Sequence, residues 1–211
     1  METLFNFLLG LHIAGGAAGL ISGTINMIRK KGDIRHKKTG KIFFRTMLLA
    51  GLTALVLASI HPNQFLFTIG IFTLYMLGSG YRYLYLRAQQ PQANWIDWSL
   101  SIFMIVFGLL FFAQGVQNLL HNNYFGIALF VFGGIGLSMS MNDIRFYRGK
   151  VRSKNFWLRG HIARMCGTYI ASLTAFLVVN IHFLPALLIW LLPTVIITPL
   201  IVKWSRKYEK A

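Results

Sequence analysis

The sequence predicts an all-α membrane protein, a polytopic bundle of seven transmembrane helices, and three observations support this fold class. Hydrophobic residues make up 55% of the 211 residues and charged residues only 12%, about half the usual fraction in soluble proteins. Apolar runs long enough to cross a bilayer recur along the whole chain. Between these runs, joints rich in Lys and Arg alternate with joints that have neither, as expected for loops on opposite sides of a membrane.

The apolar runs define the seven predicted spans. At a rise of about 1.5 Å per residue, runs of roughly 18 to 25 residues can cross a hydrocarbon layer of about 30 Å. The predicted bounds are 4–28, 43–61, 64–86, 99–120, 124–141, 161–182 and 185–203. The first run has neither a basic leader nor a small-residue cleavage site, so no cleaved signal peptide is expected. We therefore expect a single membrane domain over residues 1–211.

The distribution of basic residues predicts the orientation of the spans. All 21 Lys and Arg residues lie in or near the first, third and fifth joints and the C-terminal tail, whereas the second, fourth and sixth joints carry none. Because cytoplasmic loops are enriched in Lys and Arg, the N-terminus is predicted outside and the C-terminus in the cytoplasm. The formal charge of +16 then indicates loops that attract anionic lipid headgroups, and nucleic acid is not expected as a partner.

Two parts of the chain resemble each other at an offset of four spans. LTALVLASIH at 52–61 matches LTAFLVVNIH at 173–182, and a Gly-Gly pair precedes an Ile-Arg pair at similar spacing in spans 1 and 5. An even offset gives both copies the same orientation, so the match predicts a parallel internal repeat of the kind found in some carriers. The predicted repeat units are 1–86 and 124–203, with an intervening span at 99–120.

Small residues line one face of several predicted helices. In span 1, a 4-3-4-3 spacing places His12, Gly16, Gly19, Gly23 and Asn26 on one side. The same spacing gives Met47, Gly51, Ala54 and Ala58 on span 2, and His161, Met165, Thr168 and Ser172 on span 6. Small and polar faces turn inward in membrane bundles, so spans 1, 2 and 6, with the glycine-rich span 5, are expected to form the inner core. Such faces fit tight helix packing and also a slot for a flat ligand.

The outer leaflet is predicted to hold the histidines His12, His61, His121 and His182. Polar groups at that depth must pair or bind something, because hydrocarbon offers no partners. One hypothesis is therefore a cofactor: b-type haem held by two imidazoles, with Gly16 and Gly19 leaving room for the macrocycle, or a copper or zinc ion on His12, His61 and His182. The alternative is that water and headgroups solvate these histidines, since no single helix carries two of them at ligand spacing.

On the predicted inner side, His36 and His161 lie near the starts of spans 2 and 6, and Arg45 and Arg164 lie just inside these spans. Both arginines are expected to reach the headgroups by snorkelling, and a quinone or anion site between them is the alternative. Asp143 is expected to be solvated and paired with a nearby Arg.

The remaining polar residues do not indicate a particular reaction. Asp97 is expected to open span 4, where an acid favours the helix dipole. The single cysteine, Cys166, excludes an internal disulfide and is expected to be a buried structural thiol. Phosphate-binding loops, serine-hydrolase triads and dinucleotide fingerprints have no counterpart in the sequence, which predicts no particular reaction.

Two runs resemble the conserved stretches of an uncharacterised family of bacterial multi-span membrane proteins, a domain of unknown function. They are KKGDIRHKKTGKIFFRTMLLAGLTALVL at 30–57 and LRGHIARMCGTYIASLTAFLVVN at 158–180. The resemblance implies a helical bundle in the bacterial inner (cytoplasmic) membrane and brings no activity with it. Its signature positions on the inner face would be His36, Gly40, His161, Arg164 and Met165.

The leading functional hypothesis is a membrane protein that binds a small ligand or cofactor within its bundle, as a redox protein with haem or a metal ion. A small-molecule carrier is the first alternative, favoured by the parallel repeat and by the prolines of span 7. The second alternative is a structural or assembly subunit, as a homo-oligomer or in a larger membrane complex, favoured by the glycine faces.

Overall fold

The computed structural model of the chain describes residues 2–86, 92–151 and 155–207, and these residues form seven α-helices and no strand. The helices are α1 (Glu2–Ile28), α2 (Ile34–Ile60), α3 (Gln64–Arg82), α4 (Trp95–Leu120), α5 (Phe125–Tyr147), α6 (Phe156–Asn180) and α7 (Ala186–Lys207). Six of them, all except α3, are long and apolar enough to cross a membrane. The predicted all-α membrane fold is therefore confirmed, and the seventh span stays a prediction.

Several helices begin before the apolar runs that predicted them, because polar caps start them early. At the start of α2, the carboxylate of Asp33 accepts a hydrogen bond from the backbone N–H of His36 at 2.6 Å, which lowers the pKa of Asp33. At the start of α4, Asn94 and Asp97 form a reciprocal capping box. Hydropathy detects only the apolar part of a helix, so it does not predict these polar first turns.

The helix α3 is buried along most of its length, with Tyr75 and Leu77 fully enclosed. Its buried residues include Thr68 and Thr73, which lower its hydropathy without exposing a polar surface. By contrast, only 11% of the apolar window of α1 is buried. The expectation that span 1 belongs to the inner core is therefore wrong. A face of small residues indicates close contact with one neighbouring helix. The helix can still be exposed on its other sides.

The chain divides into two compact units. Unit 1 comprises Met1–Leu77 and Met165–Trp204, and unit 2 comprises Gly78–Arg164 with the C-terminal residues from Ser205. All three boundaries fall inside helices, so α3, α6 and α7 each contribute to the two units. This division differs from the predicted repeat units, and the internal duplication stays a prediction.

In unit 1, the glycine face of α1 packs against α2. A Cβ atom added to Gly15 would lie 3.1 Å from the carbonyl oxygen of Thr46, and one added to Gly19 would overlap the side chain of Met47. Gly16 has open space at its Cβ position, so it does not take part in this contact. On α2, three of the four residues of the predicted small face, Met47, Gly51 and Ala58, are buried, and the fourth, Ala54, is partly buried.

In unit 2, α4 and α5 approach each other through glycines. A Cβ atom added to Gly126 would lie 2.5 Å from the carbonyl oxygen of Gly115, and one added to Gly133 would lie 3.0 Å from that of Gly108. Most of the buried residues of α5 recur every three or four positions, and two of them, Ser140 and Asp143, are polar: Gly126, Leu129, Gly133, Gly136, Ser140, Asp143 and Phe146. Of the four glycines predicted for span 5, Gly126, Gly133 and Gly136 lie on this buried face, whereas Gly134 does not. The partner face on α4 was not predicted.

Candidate functional site

Asp143 of α5 and Arg164 of α6 form a buried ion pair in unit 2. Nη2 of Arg164 donates to Oδ1 of Asp143 at 2.6 Å, and the two side chains are 5% and 0% exposed. The pairing of Asp143 with an Arg is confirmed, but the expectation that Asp143 is solvated is wrong. The expectation that Arg164 snorkels to the headgroups is wrong too. Each charge is stable away from water because the other one compensates it.

Three further groups complete the hydrogen bonds of this pair. The hydroxyl of Tyr83, in the turn after α3, donates to Oδ1 of Asp143 at 2.6 Å. Arg164 donates to Oγ of Ser79 at 2.5 Å and to the carbonyl oxygen of Met139 at 3.2 Å. A phenol is protonated at neutral pH, so Tyr83 is a hydrogen-bond donor to the carboxylate.

A second ion pair joins the end of α3 to the start of α4. Nε and Nη2 of Arg82 each donate to one carboxylate oxygen of Asp97, both at 2.8 Å. Asp97 is fully buried and also accepts the backbone N–H of Asn94 at 2.9 Å. Its predicted place in the first turn of span 4 is confirmed, and its partner Arg82 was not predicted. This bidentate pair fixes the geometry of the two helix ends.

A cleft of about 290 Å³ lies beside the Asp143–Arg164 pair, and all of its lining residues belong to unit 2. The first turns of α6 supply Phe156, Arg159 and Gly160, and α5 supplies Asn142. Gly160 lets Tyr83 pack closely, since an added Cβ atom there would lie 2.9 Å from the tyrosine ring. The cleft thus combines guanidinium and amide groups with apolar walls, which is the usual composition of a small-ligand site.

The inner-face signature positions divide between the units. In unit 2, Nδ1 of His161 is 2.8 Å from the carbonyl oxygen of Gly80, and because a carbonyl only accepts, Nδ1 carries the proton. His161 and Arg164 therefore both bind the end of α3 and are brought together. In unit 1, His36 and Met165 are half-buried, and an added Cβ atom at Gly40 would lie 3.1 Å from Nδ2 of Asn26.

The outer histidines of unit 1 are engaged at different levels. Nδ1 of His12 donates to the carbonyl oxygen of Ala50 at 2.9 Å, whereas the ring of His61 packs edge-on against Phe5 with centroids 4.5 Å apart. Phe5 and His12 are seven residues apart in α1, about 10 Å along the helix axis. Metal–nitrogen bonds are only about 2 Å long, so the structure does not bring His12 and His61 to one ion.

The remaining members of the outer set are exposed. His121 follows the end of α4 in unit 2, and His182 follows the end of α6 in unit 1. Within the described part of the chain, no three His, Cys, Asp or Glu residues are grouped so that they could hold a metal ion. Of the two glycines predicted to leave room for a macrocycle, Gly19 faces the side chain of Met47, whereas Gly16 has open space at its Cβ position. Cys166 is a buried free thiol, as predicted.

Sequence reasoning missed Tyr83, Ser79 and Asn142 at the site. The polar continuation of the α5 face could have indicated that Asp143 points inward, because it follows Gly136 and Ser140 at helical spacing. Tyr83 and Ser79 have no comparable signal, since they meet Asp143 and Arg164 only through the packing of helices distant in sequence.

Comparison of the chain with family models, with curated proteins and with solved structures finds no match. The resemblance to a bacterial membrane-protein family therefore stays a prediction.

Proposed function

We propose that this protein is an integral membrane protein that binds a small anionic ligand in the cleft of unit 2. The main support for this proposal is a cleft of about 290 Å³ that is lined by Arg159 and Arg164 together with Asn142. Together with Asp143, the ion-pair partner of Arg164, the cluster holds two guanidinium groups and one carboxylate, a net charge of +1. Its volume lies near the lower end of the range for ligand sites, which favours a small ligand.

The two arginines have different parts in this proposal. Arg164 is held by Asp143, Ser79 and the Met139 carbonyl, so it forms a fixed polar part of the cleft wall with its charge compensated by Asp143. Arg159 lies in the second turn of α6, is partly exposed, and lines the same cleft. Guanidinium groups bind carboxylate and phosphate through charge-assisted hydrogen bonds. The apolar side chains beside them suit a ligand with a short hydrocarbon body.

The orientation belongs to the same proposal. With the N-terminus outside and the C-terminus in the cytoplasm, the end of α5 and the start of α6 face the cytoplasm. The loop between them is basic, which favours this orientation. An anion would then reach the cleft from the cytoplasmic side.

Arg159→Gln tests the proposal. Isothermal titration of detergent-purified protein with butyl phosphate should show binding to the wild type, weakened at least about tenfold in Arg159→Gln through loss of a charge-assisted hydrogen bond. Arg148→Gln is the matched control, since Arg148 is exposed at the end of α5 and does not line the cleft. An equal loss in Arg148→Gln, or wild-type protein that binds no anion at millimolar concentration, would count against the site.

A second candidate function, haem binding at His12, rests on one observation. Because Nδ1 of His12 donates to Ala50, the other ring nitrogen is the one available as a ligand, and such backbone bonds orient many metal-binding histidines. If haem binds there, protein expressed with haem supplied will show a Soret band that sharpens on reduction and is lost in His12→Ala. Colourless protein would leave His12 as a packing residue between α1 and α2.

A further inference from the structure

We propose that the exposed face of α2 is a binding site for an anionic phospholipid. Two bands of exposed side chains lie on this face. The basic band is Arg35, Lys38, Lys41 and Arg45, all exposed. The apolar band is Ile42, Leu49, Leu52 and Val56, which are 52%, 40%, 52% and 46% exposed. This surface belongs entirely to unit 1 and is independent of the cleft in unit 2.

Helical spacing places the two bands in line. Lys38, Lys41 and Arg45 are three and four residues apart, and the same progression continues through Leu49 and Leu52, so these side chains follow one face. The opposite face, with Phe43, Met47 and Ala50, is buried. From Lys38 to Arg45 the helix rises about 10 Å, and from Arg45 to Val56 about 16 Å. These lengths match a headgroup layer and one leaflet of hydrocarbon.

The charge of this segment favours an anion. Residues 29–41 contain seven Lys or Arg and a single acid, Asp33, whose carboxylate already caps α2. Lys31 is used elsewhere, since its ammonium donates to the carbonyl oxygens of Asn26 and Met27 at 2.7 and 2.6 Å and lies 4.1 Å from the ring of Trp204. The basic band on α2 therefore carries the positive charge that faces outward along this helix.

Because the basic and apolar bands are continuous, a phospholipid fits this face better than an acidic protein or a nucleic acid does. An acidic protein or a nucleic acid would bind the basic band and leave the apolar band uncovered. A phospholipid covers both, with its phosphate among the lysines and its acyl chains along Leu49, Leu52 and Val56. A zwitterionic lipid has the same chains without the net charge, so the proposal requires a preference for phosphatidylglycerol over phosphatidylcholine.

The test is native mass spectrometry of the whole protein in mixed micelles of phosphatidylcholine and phosphatidylglycerol. The wild type should retain phosphatidylglycerol preferentially. The triple variant Lys38→Gln, Lys41→Gln, Arg45→Gln should bind it about 100-fold more weakly, at about fivefold for each charge removed. The control triple Arg145→Gln, Arg148→Gln, Lys150→Gln removes the same charge from exposed positions elsewhere and should change binding less than threefold.

Two further measurements distinguish loss of charge from misfolding, and binding of a lipid from binding of a phosphate group alone. The charge-preserving variant Lys38→Arg, Lys41→Arg should bind as the wild type does, which separates loss of charge from misfolding. Glycerol phosphate should not displace the lipid at millimolar concentration, because it lacks acyl chains for the apolar band. Equal retention of the two lipids, equal loss in the two triple variants, or displacement by glycerol phosphate would each overturn the proposal.

Discussion

Replacing Asp143 with alanine is expected to lower the free energy of unfolding by about 3–5 kcal/mol, because it leaves a buried guanidinium without its counter-charge. Arg164 is only 4% exposed, so water compensates the lost carboxylate only in part. The substitution also removes the acceptor for the Tyr83 hydroxyl. The measurement is equilibrium unfolding of the protein in mixed micelles by titration with sodium dodecyl sulfate, followed by circular dichroism.

A double variant separates the charge from the packing. Asp143→Leu combined with Arg164→Met removes both charges, and it should cost at least about 2 kcal/mol less than the sum of the two single variants. Arg145→Met is the matched control, because Arg145 is exposed on the same helix and should change stability by less than about 0.5 kcal/mol. If Asp143→Ala costs below about 1 kcal/mol, the pair is reached by water and is not the buried contact described above.

The fold class was predictable because hydropathy and charge are properties of each segment by itself. The same holds for the buried face of α2, since helical spacing alone places Met47, Gly51 and Ala58 on one side. The ion pair was not predictable in the same way. Asp143 lies near a helix end beside basic residues, where a solvated carboxylate is the ordinary case. Its burial depends on where α6 places Arg164, and periodicity within one helix does not encode that placement.

The outer histidines also show that patterns along single helices do not predict which side chains meet. Counting residues along the spans assigns His12 and His61 to one leaflet, but a leaflet of hydrocarbon is about 15 Å deep. Within that depth, His12 bonds to Ala50 while His61 packs on Phe5. A shared leaflet is therefore too coarse a criterion for a shared ligand. Gly19 illustrates a related point, because a glycine that suggests room for a ligand instead admits the side chain of Met47.

Replacing Gly126 with alanine is expected to cost about 2–3 kcal/mol, although alanine is the better helix former by about 1 kcal/mol. A Cβ atom at this position would lie 2.5 Å from the carbonyl oxygen of Gly115 and 2.9 Å from Cγ of Leu119. The nearer atom belongs to the backbone of α4, so no side chain can rotate away and the two helices must separate. That separation weakens the packing of the remaining residues along the pair. Unfolding by sodium dodecyl sulfate in mixed micelles measures the loss.

Gly134→Ala provides the matched control on the same helix, since the nearest atom to its Cβ position is Cζ of Phe112 at 3.9 Å, an ordinary contact. With no backbone in the way, this variant should be neutral or more stable by up to about 1 kcal/mol. Gly16→Ala on α1, where the Cβ position is open, should behave in the same way. The opposite signs at Gly126 and Gly134 follow from the α4–α5 contact alone. Equal effects at the two positions would show that α4 and α5 do not meet through Gly115 and Gly126.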